Sequence, residues 1–89
     1  MLSIIAALTI AAATPPDRSS YDALFTIARA HATDFYCGTH LTESPYIRHL
    51  TTSFAAKEGL DRATLYAVIG NAAVAVQRQV IDNPWSLCK

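Results

Sequence analysis

Apolar residues recur at helical spacing in three stretches of the chain, and no stretch shows the two-residue alternation of a half-buried strand. The longest runs from Leu60 to Asp82, LDRATLYAVIGNAAVAVQRQVID. Within it Leu65, Ile69, Ala72, Ala73, Val76 and Val80 step by threes and fours, which places them in one stripe on a 3.6-residue period. Asp61 is positioned to cap the first turn, and Leu60 and Leu65 occupy the two positions of a hydrophobic staple. Asn83-Pro84 closes the segment, because the residue before a proline is pushed out of helical geometry. The spacing predicts a helix over about 61–82, with the rest of the chain arranged to cover it.

A first helix over about 20–37 follows from Tyr21, Leu24, Phe25, Ala28, Ala32 and Phe35, with Ile27 widening the face. Ser19 or Ser20 is the expected cap, Asp22 suits the helix dipole in the opening turn, and Gly38 offers a left-handed stop. A second helix over about 45–58 opens on Ser44 as cap with Pro45 in the first helical position. Ile47, Leu50, Thr51, Phe54 and Ala55 make its inner face, Tyr46 sits at the margin, and Gly59 ends it. The tight connection that follows predicts that helices two and three are antiparallel neighbours. Thr39 to Glu43 reads as a polar loop. The tail NPWSLCK reads as too short for a further element, with Trp85 and Leu87 folded back over the core. The fold class is therefore all-α, a small three-helix up-down-up bundle.

The first thirteen residues, MLSIIAALTIAAA, carry no charged side chain and give way abruptly to TPPDRSS. They are too few for a bilayer core, which takes roughly 20 residues. With small residues at Ala11 and Ala13, the −3 and −1 positions of a cleavage site, residues 1–13 read as a signal peptide and 14–89 as a single three-helix domain. No Lys or Arg precedes Arg18, so an uncleaved apolar helix lying against the domain is the competing reading. The mature chain is expected to be periplasmic or secreted, without a stable membrane span.

Export changes the meaning of Cys37 and Cys88. Two cysteines in a small exported chain are expected to pair, and they lack the CxxC spacing of a redox or zinc motif. Closing a loop of about fifty residues contributes roughly 4 kcal/mol in the chain-entropy picture, much of what a core this small supplies. In a compact bundle the ends of helices one and three share a pole, so the pairing agrees with the topology.

Lys plus Arg and Asp plus Glu number seven each, and the signs are well mixed. Nucleic acid is thereby disfavoured as a partner, since polyanion binding needs a basic excess to release counterions. No catalytic residue is assigned: the chain lacks a GxSxG elbow, a glycine-rich phosphate loop and a free Cys–His pair. His31, His40 and His49, nine residues apart, share no helical face, and a common metal site would need Glu43 or Asp34 as a further ligand. No metal or cofactor is expected. His31 falls in the apolar stripe of the first helix with Asp34 as a near neighbour. It reads either as a neutral core-edge residue or as a pH-sensitive group whose charging loosens that helix.

Gly70 costs a mid-helix position about 1 kcal/mol against alanine. With Ala63, Ala67, Val74 and Ile81 it forms a small-residue seam beside the main stripe of the third helix. One reading makes helix three central, touching both neighbours. The other makes Ala67, Gly70 and Val74 an interface with a second copy or with a partner. Tyr36, Tyr46 and Trp85 lie nearest the disulfide pole and form a second candidate surface. The layout is similar to small exported helical proteins with one disulfide, a group that includes acid-stress chaperones and immunity proteins against secreted toxins; that likeness assigns no residue a role. The expected function is a binding module that contacts an unidentified protein. An envelope chaperone is the first alternative and a small hydrolase or metal-dependent enzyme the second.

Overall fold

The structure, a computed structural model, describes residues 18–88. Residues 1–13, read above as a signal peptide, lie outside that range. Three helices make up the bundle: α1 (Arg18–Cys37), α2 (Pro45–Glu58) and α3 (Arg62–Gln79). Two short 3-10 segments accompany them, Leu41–Glu43 and Pro84–Cys88, and no strand occurs among the described residues.

The capping chemistry of α2 and α3 is in place. Ser44 accepts a hydrogen bond from the Ile47 amide at 3.2 Å, and Asp61 accepts one from the Thr64 amide at 2.8 Å. Gly59, at φ 66°, takes the left-handed conformation that ends α2, and the Leu60 amide closes back on the Ala55 carbonyl at 3.0 Å. The start of α1 differs from expectation. Ser19 and Ser20 lie inside the helix rather than at its cap, and Asp22 falls beyond the first turn. The Ser20 hydroxyl is buried and donates to Glu58 Oε2 at 2.7 Å, while the Lys57 ammonium donates to Ser19 Oγ at 2.9 Å. These serines join the beginning of α1 to the end of α2.

The larger correction concerns which helix is central. α1 packs against α2, against α3 and against the C-terminal 3-10 segment, whereas α2 and α3 have no comparable contact along their lengths. Ile27, Ala28, Ala30, Ala32 and Thr33 are all buried, and at 3.6 residues per turn their directions spread round the whole helix. One apolar cluster gathers Ile27, Phe54 and Ile69, with Leu60 and Leu65 packed against it as the staple requires. The other joins Ala28 and Ala32 to Ala72, Val76 and Leu87. The main stripe of α3 is buried as predicted, but it covers α1 rather than being covered. The seam of Ala63, Ala67, Gly70, Val74 and Ile81 is exposed, so it does not serve as a second intramolecular contact. Helix three is therefore peripheral. The alanines of α1 decide this: short side chains let three neighbours approach one axis closely.

α3 also ends at Gln79, three residues before the predicted end. From there the chain continues in tighter turns, with Val80, Asn83 and Ser86 amides bonded back to Gln77, Val80 and Asn83 carbonyls. The tail thus forms an element after all, since a 3-10 turn closes with three residues where an α-turn needs four. Leu87 is buried as expected, but Trp85 faces solvent.

Candidate interaction surface at the disulfide pole

Cys37 is the last residue of α1, and it is joined to Cys88, the last residue of the C-terminal 3-10 segment. The two Cα atoms lie 5.6 Å apart across a sequence separation of 51. The bridge holds Leu87 in the core and sets the Trp85 ring beside α1. Trp85 and Tyr36 meet edge to face with centroids 6.3 Å apart, and Tyr36 meets Phe35 in the same manner at 5.1 Å. Phe35 is 76% exposed and Trp85 63%.

Phe35 is a correction, since the sequence places it on the buried face of the first helix. In the last turn of α1 the side that is covered carries Tyr36 and Cys37, which pack against the Leu87 cluster. Phe35 points one residue away from that side and stays in water. The outcome is a ridge of three rings, two of them solvent-facing, on a base locked by a covalent bond. Geometry of this kind contributes roughly 0.5–1.5 kcal/mol per ring pair beyond area burial.

The loop beside the ridge is held by a single carboxylate. Asp34 Oδ1 accepts from the Leu41 amide at 2.8 Å and from the Thr39 hydroxyl. Its Oδ2 accepts from the Thr42 amide at 3.0 Å and the Thr42 hydroxyl at 2.8 Å. Asp34 therefore serves as a remote cap for Leu41–Glu43, whose own N-terminal residue, His40, provides no side-chain cap. Desolvation pushes the Asp34 carboxyl upward. The hydrogen bonds from Thr39, the Thr42 and Leu41 amides and the Thr42 hydroxyl outweigh it, and its pKa falls from 3.8 to about 2. Gly38, at φ 65°, makes the reversal that lets the loop return to this carboxylate.

The remaining sequence-derived candidates are dispersed. Tyr46 is exposed in the first turn of α2 and makes no ring contact with the ridge among the described residues. His31 is half-buried on α1, and the Asp34 carboxylate beside it in sequence is engaged by the loop. His40 pairs with Glu43 at 3.3 Å on the surface, and His49 lies 3.4 Å from the Ser53 hydroxyl on α2. Among the described residues no group of three His, Cys, Asp or Glu side chains comes together. Open grooves run between α1 and α3, along Phe25, Arg29 and Val76, and between α1 and α2, along Leu50 and Phe54. No helix among the described residues is long and apolar enough to cross a membrane.

Two members of this site escape the sequence. Phe35 carries a helical period indistinguishable from that of a core residue. Asp34 reaches partners five to eight residues ahead, a spacing no local capping motif uses. The bridge, and the absence of a spanning helix among the described residues, are compatible with an oxidising compartment. Comparison with protein-family models, curated proteins and solved structures gives no match.

Proposed function

We propose that this protein is a small binding module of the periplasm or another oxidising, extracellular space, acting by contact with a protein partner through the ridge of Phe35, Tyr36 and Trp85. The supporting observation is the pair of large exposed rings on a covalently braced base. Aromatic side chains dominate binding hot spots because they bury much area while ordering few torsions. Here Phe35 stands on the helix that ends in one bridged cysteine, and Trp85 in the segment that ends in the other. Little ordering is left for the partner to impose, and that lowers the cost of association. A rigid surface of this kind fits an inhibitor or an immunity-like protein. No enzymatic role is proposed.

The test is a photo-crosslinking amino acid placed at Phe35, at Trp85 and, as control, at the exposed Thr52 of α2. Irradiation of cells exporting the oxidised chain is expected to yield one discrete heavier adduct from positions 35 and 85 and none from 52. No adduct at the ridge, or equal adducts at all three positions, overturns the proposal. An envelope chaperone is the second reading, favoured by the apolar outward side of α3. It requires binding of a hydrophobic dye to rise in acid, whereas a rigid inhibitor shows no such rise.

A further inference from the structure

We propose that the Cys37–Cys88 bridge is a redox clasp for the ridge: the oxidised chain carries the binding surface, and reduction by a protein dithiol frees Pro84–Cys88 and takes that surface apart while the three helices stay folded. The clasp serves the surface proposed above and rests on that reading of it. The ridge is assembled from two pieces distant in the chain. Phe35 and Tyr36 belong to the last turn of α1, and Trp85 belongs to the segment that follows α3. The second piece has few ties of its own. Beyond Gln79 the amides of Val80, Asn83 and Ser86 bond back along the chain to Gln77, Val80 and Asn83, and among the described residues no backbone hydrogen bond crosses from this stretch to α1. Its hold on α1 consists of the buried Leu87, the half-buried Val80, the edge contact of Trp85 with Tyr36, and the bridge. Fixing the backbone of residues 80–88 costs more than one buried leucine returns. The covalent bond makes up the difference, because it keeps the segment at α1 whether or not those contacts form. The helices do not share this dependence: Ile27, Phe54 and Ile69 join all three in a cluster that contains no residue of the tail.

The bridge is placed for exchange. Cys88 is exposed, whereas Cys37 is half-buried, so an incoming thiolate reaches the Cys88 sulfur first. Attack there forms a mixed disulfide with Cys88 and expels the Cys37 sulfur, which takes a proton from water. The second thiol of the dithiol then attacks its own partner sulfur in the mixed disulfide and releases Cys88 as a thiol. Two electrons and two protons pass to this chain, and the dithiol leaves as a disulfide. Run backward, with a protein disulfide as the donor, the same steps close the clasp. A compartment that keeps thiols reduced therefore holds the chain without its ridge, and an oxidising one completes it.

Amide exchange and Trp85, the chain's one tryptophan, read the clasp without a partner. With a dithiol reductant the full chain is expected to lose the near-ultraviolet dichroism of Trp85 and to exchange the Ser86 amide at least about tenfold faster. The amides of Ala30, Phe54 and Ile69, all buried residues of the helices, should keep their protection. Re-oxidation by a disulfide donor should restore both signals. The photo-crosslinking residue at position 35 then reads binding: its adduct should disappear when Cys37 and Cys88 are both replaced by serine. A ridge that meets no partner shows itself as no adduct from the oxidised chain, and the exchange and dichroism results then decide the clasp alone. A Ser86 amide and a Trp85 signal indifferent to reductant, loss of protection in all three helices along with the tail, or an adduct of equal yield from the double-serine chain overturns the inference.

Discussion

Asp34→Asn isolates the carboxylate that holds the loop. Asparagine keeps the size and one acceptor, but it places an NH2 group where Oδ2 accepts from both the amide and the hydroxyl of Thr42. The drop in pKa from 3.8 to about 2 means that folding favours the ionised form. At 1.36 kcal/mol per pKa unit the ceiling on that preference is about 2.5 kcal/mol. The site is partly open to water, so screening reduces the expected loss at neutral pH to about 1–2 kcal/mol. The sign follows from the lowered pKa. This stability is complete well above the unfolded value of 3.8 and is lost as pH falls through about 2, where the wild-type carboxyl is itself half protonated. Urea unfolding of both proteins at pH 6, 4, 3 and 2 should therefore show a gap that is full at pH 6 and shrinks toward zero at pH 2. Amide exchange at Leu41 and Thr42 should accelerate in the variant at pH 6. Equal stability at pH 6, or a gap unchanged at pH 2, would refute the assignment of this carboxylate as the remote cap.

Five further outcomes follow from burial, exposure, the bridge and backbone geometry. Ile27, with no exposed surface, should lose about 2–5 kcal/mol on truncation to alanine. Phe35→Ala should lower stability by no more than the roughly 0.5–1.5 kcal/mol of its ring pair with Tyr36 yet weaken partner binding by about 2 kcal/mol; chemical denaturation and titration with the cross-linked partner measure the two. Replacing Cys37 and Cys88 together by serine should cost about 4 kcal/mol and release Leu87 from the core, read from the urea midpoint with and without reductant; a midpoint unmoved in the variant would remove the bridge from the stability of the fold. Gly59→Ala, forced to keep φ 66°, should destabilise by about 1–2 kcal/mol. Gly70→Ala, with open space at its Cβ, should stabilise the fold by about 0.5–1 kcal/mol, read from the urea midpoint.

Local chemistry was legible in the sequence at both ends of α2, at the start of α3 and at the end of α1, but not at the start of α1, where Ser19 and Ser20 bond to α2 instead of capping. Ser44 with Pro45 and Asp61 with Thr64 start their helices as the sequence implies, and Gly59 ends α2, because a cap or a stop is decided within about four residues. The bounds of α2, the end of α1 and the pairing of Cys37 with Cys88 follow from such signals and from there being only two cysteines to pair. The order of packing was not legible. A long apolar stripe marks α3 as a helix with one side to bury, but burial belongs to the neighbours as much as to the residue. Ala28, Ala30 and Ala32 are small enough to vanish beneath three approaching segments, and only the tertiary arrangement shows that they do. For the same reason Phe35, a core residue by its spacing, stands in water, because the C-terminal segment covers Tyr36 and Cys37 and stops short of it. Periodicity records which side of a helix is apolar; which sides end up covered depends on where the other elements come to rest.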